Sequence, residues 1–164
     1  MSASLVGAVA ACPVSRKPCG TAPAPPSPDT LIYSLTLPAE PASSRIARVA
    51  SRAVLHTHGL DDMVDAALQV VGELAACASH FAAGGDMYLS LRYRDGALRV
   101  VLYDGHRRHE HRRLVEACDG HRRAALRVLG RVVRAYGGEW GFGEAREPGG
   151  GTRMWAVLPR RGVG

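Results

Sequence analysis

Asparagine is absent from the chain, lysine occurs once (Lys17) and isoleucine only as Ile32 and Ile46. That bias is the mark of a GC-rich coding sequence, so arginine in place of lysine carries no message about phosphate recognition. The four cysteines, Cys12, Cys19, Cys77 and Cys118, form no CxxC pair. They are too few and too scattered for a disulfide framework, which points to a reducing, cytoplasmic setting. No apolar run approaches the ~20 residues that cross a bilayer, which excludes an ordinary membrane span. What is present is ordinary for a folded chain: 46% hydrophobic and 22% charged residues in a length of 164. That is enough for one well-cored domain and too little for two.

The net charge of +6 is local. Residues 106–134 hold nine arginines against Glu110, Glu116 and Asp119, and the rest of the chain balances at twelve against twelve. Residues 1–30 hold six of the ten prolines and three charges. A stretch that buries so little is expected to be a disordered tail, with the domain spanning 31–164. Within the tail, Leu5 to Cys12 has the look of a short signal segment. No lysine or arginine precedes it, so a non-exported tail is the preferred reading.

The hydrophobic pattern predicts a strand over residues 31–38, then a helix capped by Ser43 or Ser44 with Ile46, Val49, Ala50, Ala53 and Val54 as its apolar stripe. A second helix starts at Asp61 or Asp62 and runs to Phe81, with Gln69, Glu73, Cys77 and His80 sharing one face. Tyr88 to Arg94 and Ala97 to Tyr103 alternate apolar and polar around Asp95-Gly96, the signature of a β-hairpin. Residues 106–118 lack apolar periodicity and read as a loop. Asp119 then caps a third helix carrying Leu126, Leu129, Val132, Val133 and Tyr136. Two strands close the chain, Glu139 to Gly143 and Thr152 to Leu158. Hairpin-linked strands with helices between them predict an α+β two-layer sandwich: a mostly antiparallel sheet with helices on one face.

Three elements converge on one idea. A largely apolar helix carries an isolated Glu73, a hairpin strand ends in Asp104-Gly105, and Gly149-Gly150-Gly151 lead into Thr152. In this order they resemble the GHKL ATPase family of the histidine kinases, and within it the anti-sigma-factor serine kinase branch. The place of the branch motif E-L-V-T-N-A-V-x-H-A is occupied by Glu73-Leu74-Ala75-Ala76-Cys77-Ala78-Ser79-His80-Phe81-Ala82. Leu37-Pro38-Ala39-Glu40-Pro41 and Trp140-Gly141-Phe142 are also similar to that branch. The resemblance spans residues 31–159 and implies the Bergerat, histidine-kinase-like fold.

It also implies roles. Asp104 would accept a hydrogen bond from the amino group of adenine, Gly105 would let the backbone pass the base, and Gly151 and Thr152 would support that end of the pocket. Glu73 would orient or deprotonate the group that attacks the γ-phosphate. The departures from the motif are as informative. Cys77 stands where the family has its magnesium-binding asparagine, and a thiol is a poor ligand for that hard ion. Phe81 replaces the motif histidine. The phosphate-binding G-x-G is reduced to Asp119-Gly120-His121-Arg122-Arg123, where the helix start at Gly120, with Arg122, could still attract a phosphate. ATP is therefore the cofactor considered, magnesium is doubtful, and activity is expected to be weakened or lost.

Plainer readings stand beside these. Glu73 could simply pair with an arginine, Asp104-Gly105 could be a strand-end turn, Gly149 to Gly151 a loop, and Cys77 a small core residue. His106, His109, His111, Cys118 and His121 cluster within sixteen residues, and Cys118-x-x-His121 has the spacing of ligands. Without a second cysteine pair they read as a solvated loop, and no metal ligand is assigned. Nucleic-acid binding by the arginine segment is disfavoured, because only Tyr103 and Tyr136 flank it. The expectation is a bacterial regulatory protein that acts mainly by protein binding. Its partner would be a sigma factor or an anti-sigma-factor antagonist docked on the arginines, with a homodimer as a further candidate. The alternatives are an active protein-serine kinase using Glu73 as base, and a basic nucleic-acid-binding protein.

Overall fold

Asp95 and Gly96 both take positive φ, 53° and 73°, the backbone twist that lets a two-residue turn join antiparallel strands. The hairpin they close is the centre of the fold. In the computed structural model, which describes residues 25–146 and 150–161, it consists of β2 (Asp86–Arg94) and β3 (Ala97–Asp104). Before it come β1 (Ile32–Pro38), α1 (Pro41–Thr57) and α2 (Val64–Phe81). After it come α3 (Arg112–Ala125), α4 (Arg127–Ala135), β4 (Glu139–Glu144) and β5 (Thr152–Pro159). The sheet order is β1-β2-β3-β5-β4 with every neighbouring pair antiparallel. The protein is an α+β two-layer sandwich.

The pleat places Leu89, Leu91 and Tyr93 of β2 and Leu98, Val100 and Leu102 of β3 on one face, all of them buried. Register adds Met154, Ala156 and Leu158 of β5 to that face. α2 lies across it against β2, β3 and β5, α4 covers β4 and β5, and α1 packs on α2 and β1. The opposite face carries the exposed Tyr88, Arg92 and Arg99. No helix among the described residues is long and apolar enough to cross a membrane.

α1 departs from expectation in both its start and its buried face. It begins with Pro41 at its first turn and Glu40 at the cap, where the ring's preset φ suits a helix start. Ser43, expected as a cap, lies inside the helix and is buried with Ala47, Ser51 and Leu55. Ile46 and Val49 face solvent, 52% and 63% exposed. The reason is close approach. A Cβ built on Gly72 of α2 would stand 3.1 Å from the Arg48 guanidinium, and the Ser44 hydroxyl donates to the Gly72 carbonyl at 3.3 Å. A face of small residues fits that separation and a stripe of isoleucine and valine does not.

The segment after β3 also differs. The loop is short, and α3 starts at Arg112, so Asp119 sits inside a helix rather than capping one. Its carboxylate instead accepts from Arg108 at 3.1 Å. α3 has a single buried residue, Arg122, and so could not announce itself by apolar periodicity. The expected third helix is thus two, joined at Leu126, which is wholly buried.

Residues 28–30, assigned to the tail, form a 3-10 turn. Its neighbour Ser27 offers its carbonyl to the buried His58 ring at 2.7 Å, and Tyr33 meets the other ring nitrogen at 3.1 Å. The signal-like Leu5–Cys12 segment lies outside the described residues, as does Gly149.

Candidate functional site

Arg122 is the largest fully buried side chain of the molecule's described residues. Its position follows from helical phase: it lies one turn before Leu126 and two before Leu129, on the stripe that faces the core. Its Nη1 donates to Asp104 Oδ2 at 2.8 Å, and both side chains are essentially sealed from water, at 2% and 0% exposure. The other carboxylate oxygen, Oδ1, accepts from the His106 amide at 3.0 Å. Both oxygens of Asp104 are thus committed inside the protein. The same Nη1 also approaches Met154 Sδ at 3.1 Å and Cys77 Sγ at 3.8 Å. The Phe81 ring lies under the guanidinium, 4.1 Å from its carbon, close enough for a cation–π contact.

The surroundings are apolar enough to matter electrostatically. Burial pushes the Cys77 thiol up to about 11, against a smaller opposing pull from the Arg122 charge. Cys77 is therefore a neutral thiol at physiological pH. An ion pair in such a place depends mainly on its mutual attraction, helped by the His106 amide and the Phe81 ring, and removing either member strands the other. Arg122 Nη2 is buried without a hydrogen-bond partner, so the guanidinium is held from one side.

Gly151 and Thr152 belong to the same locus. Gly151 has φ +106°, and a Cβ there would fall 2.3 Å from the Asp104 carbonyl oxygen. Only glycine allows that approach. Thr152 pairs with Asp104 in the β3–β5 ladder and its hydroxyl donates to the His106 carbonyl at 2.9 Å. Of the residues singled out by sequence, Asp104, Cys77, Arg122, Gly151 and Thr152 are thereby brought together.

Gly105 adjoins that group, its Cα 3.6 Å from where a Cβ on Gly151 would lie, whereas Glu73 and Gly120 make no contact with the buried pair among those described. Glu73 lies one turn before Cys77 on α2, half-buried, and accepts from the Gln69 amide at 2.8 Å. That bond to a neutral amide replaces the arginine partner considered for it. Gly105 and Gly120 are exposed, and a Cβ at either would meet nothing within 4 Å. The hollow bordered by Arg122 and Thr152 has a volume of about 20 Å³ and also touches His106, Cys118 and Phe142; neither Glu73 nor Asp104 lines it. That is room for about one water molecule.

Sequence reasoning placed Arg122 at a phosphate, whereas its charge is turned inward onto Asp104. It missed Phe81 and Met154 as partners of that charge. The available signal was the phase of Arg122 with Leu126, Leu129 and Val133 along one helical stripe. The arrangement can hold a guanidinium in a dry pocket and tie α3 to the end of β3, with each Asp104 oxygen bonded inside the protein. No protein-family model matches this chain, and no curated protein matches it.

Proposed function

We propose that this chain is a bacterial, cytoplasmic regulatory module with a GHKL, histidine-kinase-like domain of the anti-sigma-factor kinase type, working by protein binding with ATP binding weakened or lost. One observation carries the reading: the carboxylate that would select adenine is bound by Arg122 from within. The two departures from the kinase motif support it, because Cys77 and Phe81 both touch that guanidinium. They make a consistent set in which a ligand pocket is filled by a side chain.

An adenine would have to displace the guanidinium from Asp104. Breaking a buried pair costs about 3–5 kcal/mol, which lowers affinity by roughly two to four powers of ten. Magnesium has no oxygen ligand at Cys77, so the metal that bridges the phosphates in active kinases has no counterpart there. Protein binding draws instead on the arginines of residues 106–134. All except Arg122 are exposed, and they present a basic surface suited to an acidic sigma factor or anti-sigma-factor antagonist.

Calorimetric titration with ATP, with and without magnesium, tests the site. The expected result is no binding at micromolar ATP in either case. Tight, magnesium-dependent binding abolished by Asp104→Ala would overturn the reading in favour of an active kinase using Glu73 as base. Affinity capture from the native extract tests the partner: a sigma factor or its antagonist should be retained by the wild type and lost from an Arg127→Glu/Arg131→Glu/Arg134→Glu variant. DNA binding that falls steeply with salt would instead support the nucleic-acid alternative.

A further inference from the structure

Three side chains that are separate in the sequence meet beside the buried pair. One donor atom each from His106, His109 and Cys118 lie within 4.8 Å of one another. His106 Nε2 is already 3.2 Å from Cys118 Sγ, and the two imidazoles stand edge to face with centroids 5.3 Å apart. We propose that His106, His109 and Cys118 bind one zinc(II) ion that staples α3 to the end of β3. This is independent of the nucleotide reading. The sequence offers these residues within a wider histidine cluster and Cys118-x-x-His121 as its ligand-like spacing, set aside for want of a second cysteine pair; the fold instead brings Cys118 of α3 against His106 and His109 of the loop.

The donor set suits the ion. One thiolate and two imidazoles match a borderline-soft, tetrahedral metal, and magnesium or calcium would be rejected. Zn–N and Zn–S bonds of about 2.0–2.3 Å put tetrahedral donors roughly 3.3–3.7 Å apart. The His106–Cys118 pair, at 3.2 Å, needs to open by only a few tenths of an ångström to reach it. His109 is exposed, so its side chain can close the remainder without disturbing the core. All three side chains line the hollow of about 20 Å³, together with Asp119 and Glu144, which gives room for one ion.

Two further observations fit a staple. The backbone of His106 is held on both sides, its amide by Asp104 and its carbonyl by Thr152. A ligand so anchored needs little ordering. α3, by contrast, is a fourteen-residue helix with one buried side chain, near its C-terminal end. A metal on Cys118 would secure it a turn earlier. The local charge is tolerable: the thiolate cancels one unit of the ion, and the two guanidiniums that line the hollow are each paired, Arg108 with Asp119 at 3.1 Å and Arg122 with Asp104 at 2.8 Å.

The test uses the full reduced chain. Purified protein should contain one zinc per chain by elemental analysis. After metal removal, cobalt(II) should restore a thiolate-to-cobalt charge-transfer band with tetrahedral ligand-field intensity. Cys118→Ser should abolish the band, and His106→Gln and His109→Gln should each weaken cobalt binding at least tenfold. Cys77→Ser, a Cys12→Ser/Cys19→Ser double variant, His111→Gln and His121→Gln should leave it unchanged. Hydrogen exchange should show metal-dependent protection confined to α3 and residues 105–111, a readout independent of which variants fold well. Absence of both zinc and a cobalt thiolate band in folded wild type overturns the proposal. So does a band lost equally with His111 or His121, which would mark a loose histidine-rich loop.

Discussion

A single guanidinium decides what the centre of this molecule can do. Arg122 is buried against Asp104, and its removal leaves a carboxylate in a dry pocket. Arg122→Ala should therefore destabilise the protein by about 3–5 kcal/mol, whereas an Arg122→Met/Asp104→Leu double variant should recover most of the loss. Equilibrium unfolding in urea measures both; a single variant no less stable than the double would contradict the pairing. The same dry pocket governs Cys77. Its thiol is held up to about 11 by burial, against an ordinary value near 9. Between those values the folded protein keeps a proton that the unfolded chain releases. Stability should thus be full below pH 9 and fall as pH rises towards 11, by roughly 1–3 kcal/mol. Comparison with Cys77→Ala over that window isolates the effect, since the variant should lose less. At pH 8, once metal has been removed, iodoacetamide should modify the half-buried Cys118 well before Cys77, as mass mapping of a timed reaction would show.

Elements differ in how openly the sequence declares them. The β2–β3 hairpin is legible because alternation and an Asp-Gly turn say the same thing, and the structure has both strands within two residues of expectation. α2 is legible for a similar reason, its apolar positions being nearly continuous. α1 misleads. Ile46 and Val49 recur at helical spacing, yet the buried face is Ser43, Ala47, Ser51 and Leu55, because α1 approaches α2 too closely for branched side chains. α3 is silent, since a helix that buries only an arginine has no apolar period to read. The site follows the same division. Asp104 and Thr152 lie on strands whose register could be inferred, and Gly151 directly precedes one. The Arg122 contact depends on how a nearly polar helix is set down, which no local pattern encodes. Glycine positions give a direct check on these placements. A Cβ on Gly138 would fall 2.0 Å from the Val157 carbonyl oxygen, at the start of β4, whereas one on Gly105 would meet nothing. Gly138→Ala should cost about 1–3 kcal/mol and loosen the β4–β5 pairing. Gly105→Ala should change stability by less than ~0.5 kcal/mol. Thermal melts of the two variants, with amide exchange on β4, compare them directly.

At the level of the whole molecule, the end of β5 is tied to the connection between the first two helices. Arg160, just past β5, donates to Asp62 between α1 and α2 at 2.7 Å and 2.9 Å. The hydrogen bond from Arg160 lowers the Asp62 carboxyl below its ordinary range, and burial opposes this only in part. A depressed acid stabilises the fold above the unfolded carboxylate range near pH 4 and loses that contribution as pH falls through the lower folded value. Because Asp62 is 39% exposed, the pair should contribute no more than about 1 kcal/mol. Asp62→Asn should lower the melting temperature slightly at pH 7, and the gap from wild type should close by pH 2. A gap that persists in acid would show that the contact acts through packing and not charge.

The position of β1 has a consequence for how copies of this protein behave in crowded solution. Among the described residues β1 pairs with β2 alone, so one row of its main-chain amides and carbonyls is open along a strand that carries Ile32 at 63% exposure and Tyr33 at 43%. Nothing on that border repels an incoming strand: Ile32 to Pro38 contains no charged residue, and its only proline lies at the far end. Such a rim is adhesive by default. It can serve as a seam between two molecules or as the place where precipitation begins, and protein concentration would select between those fates.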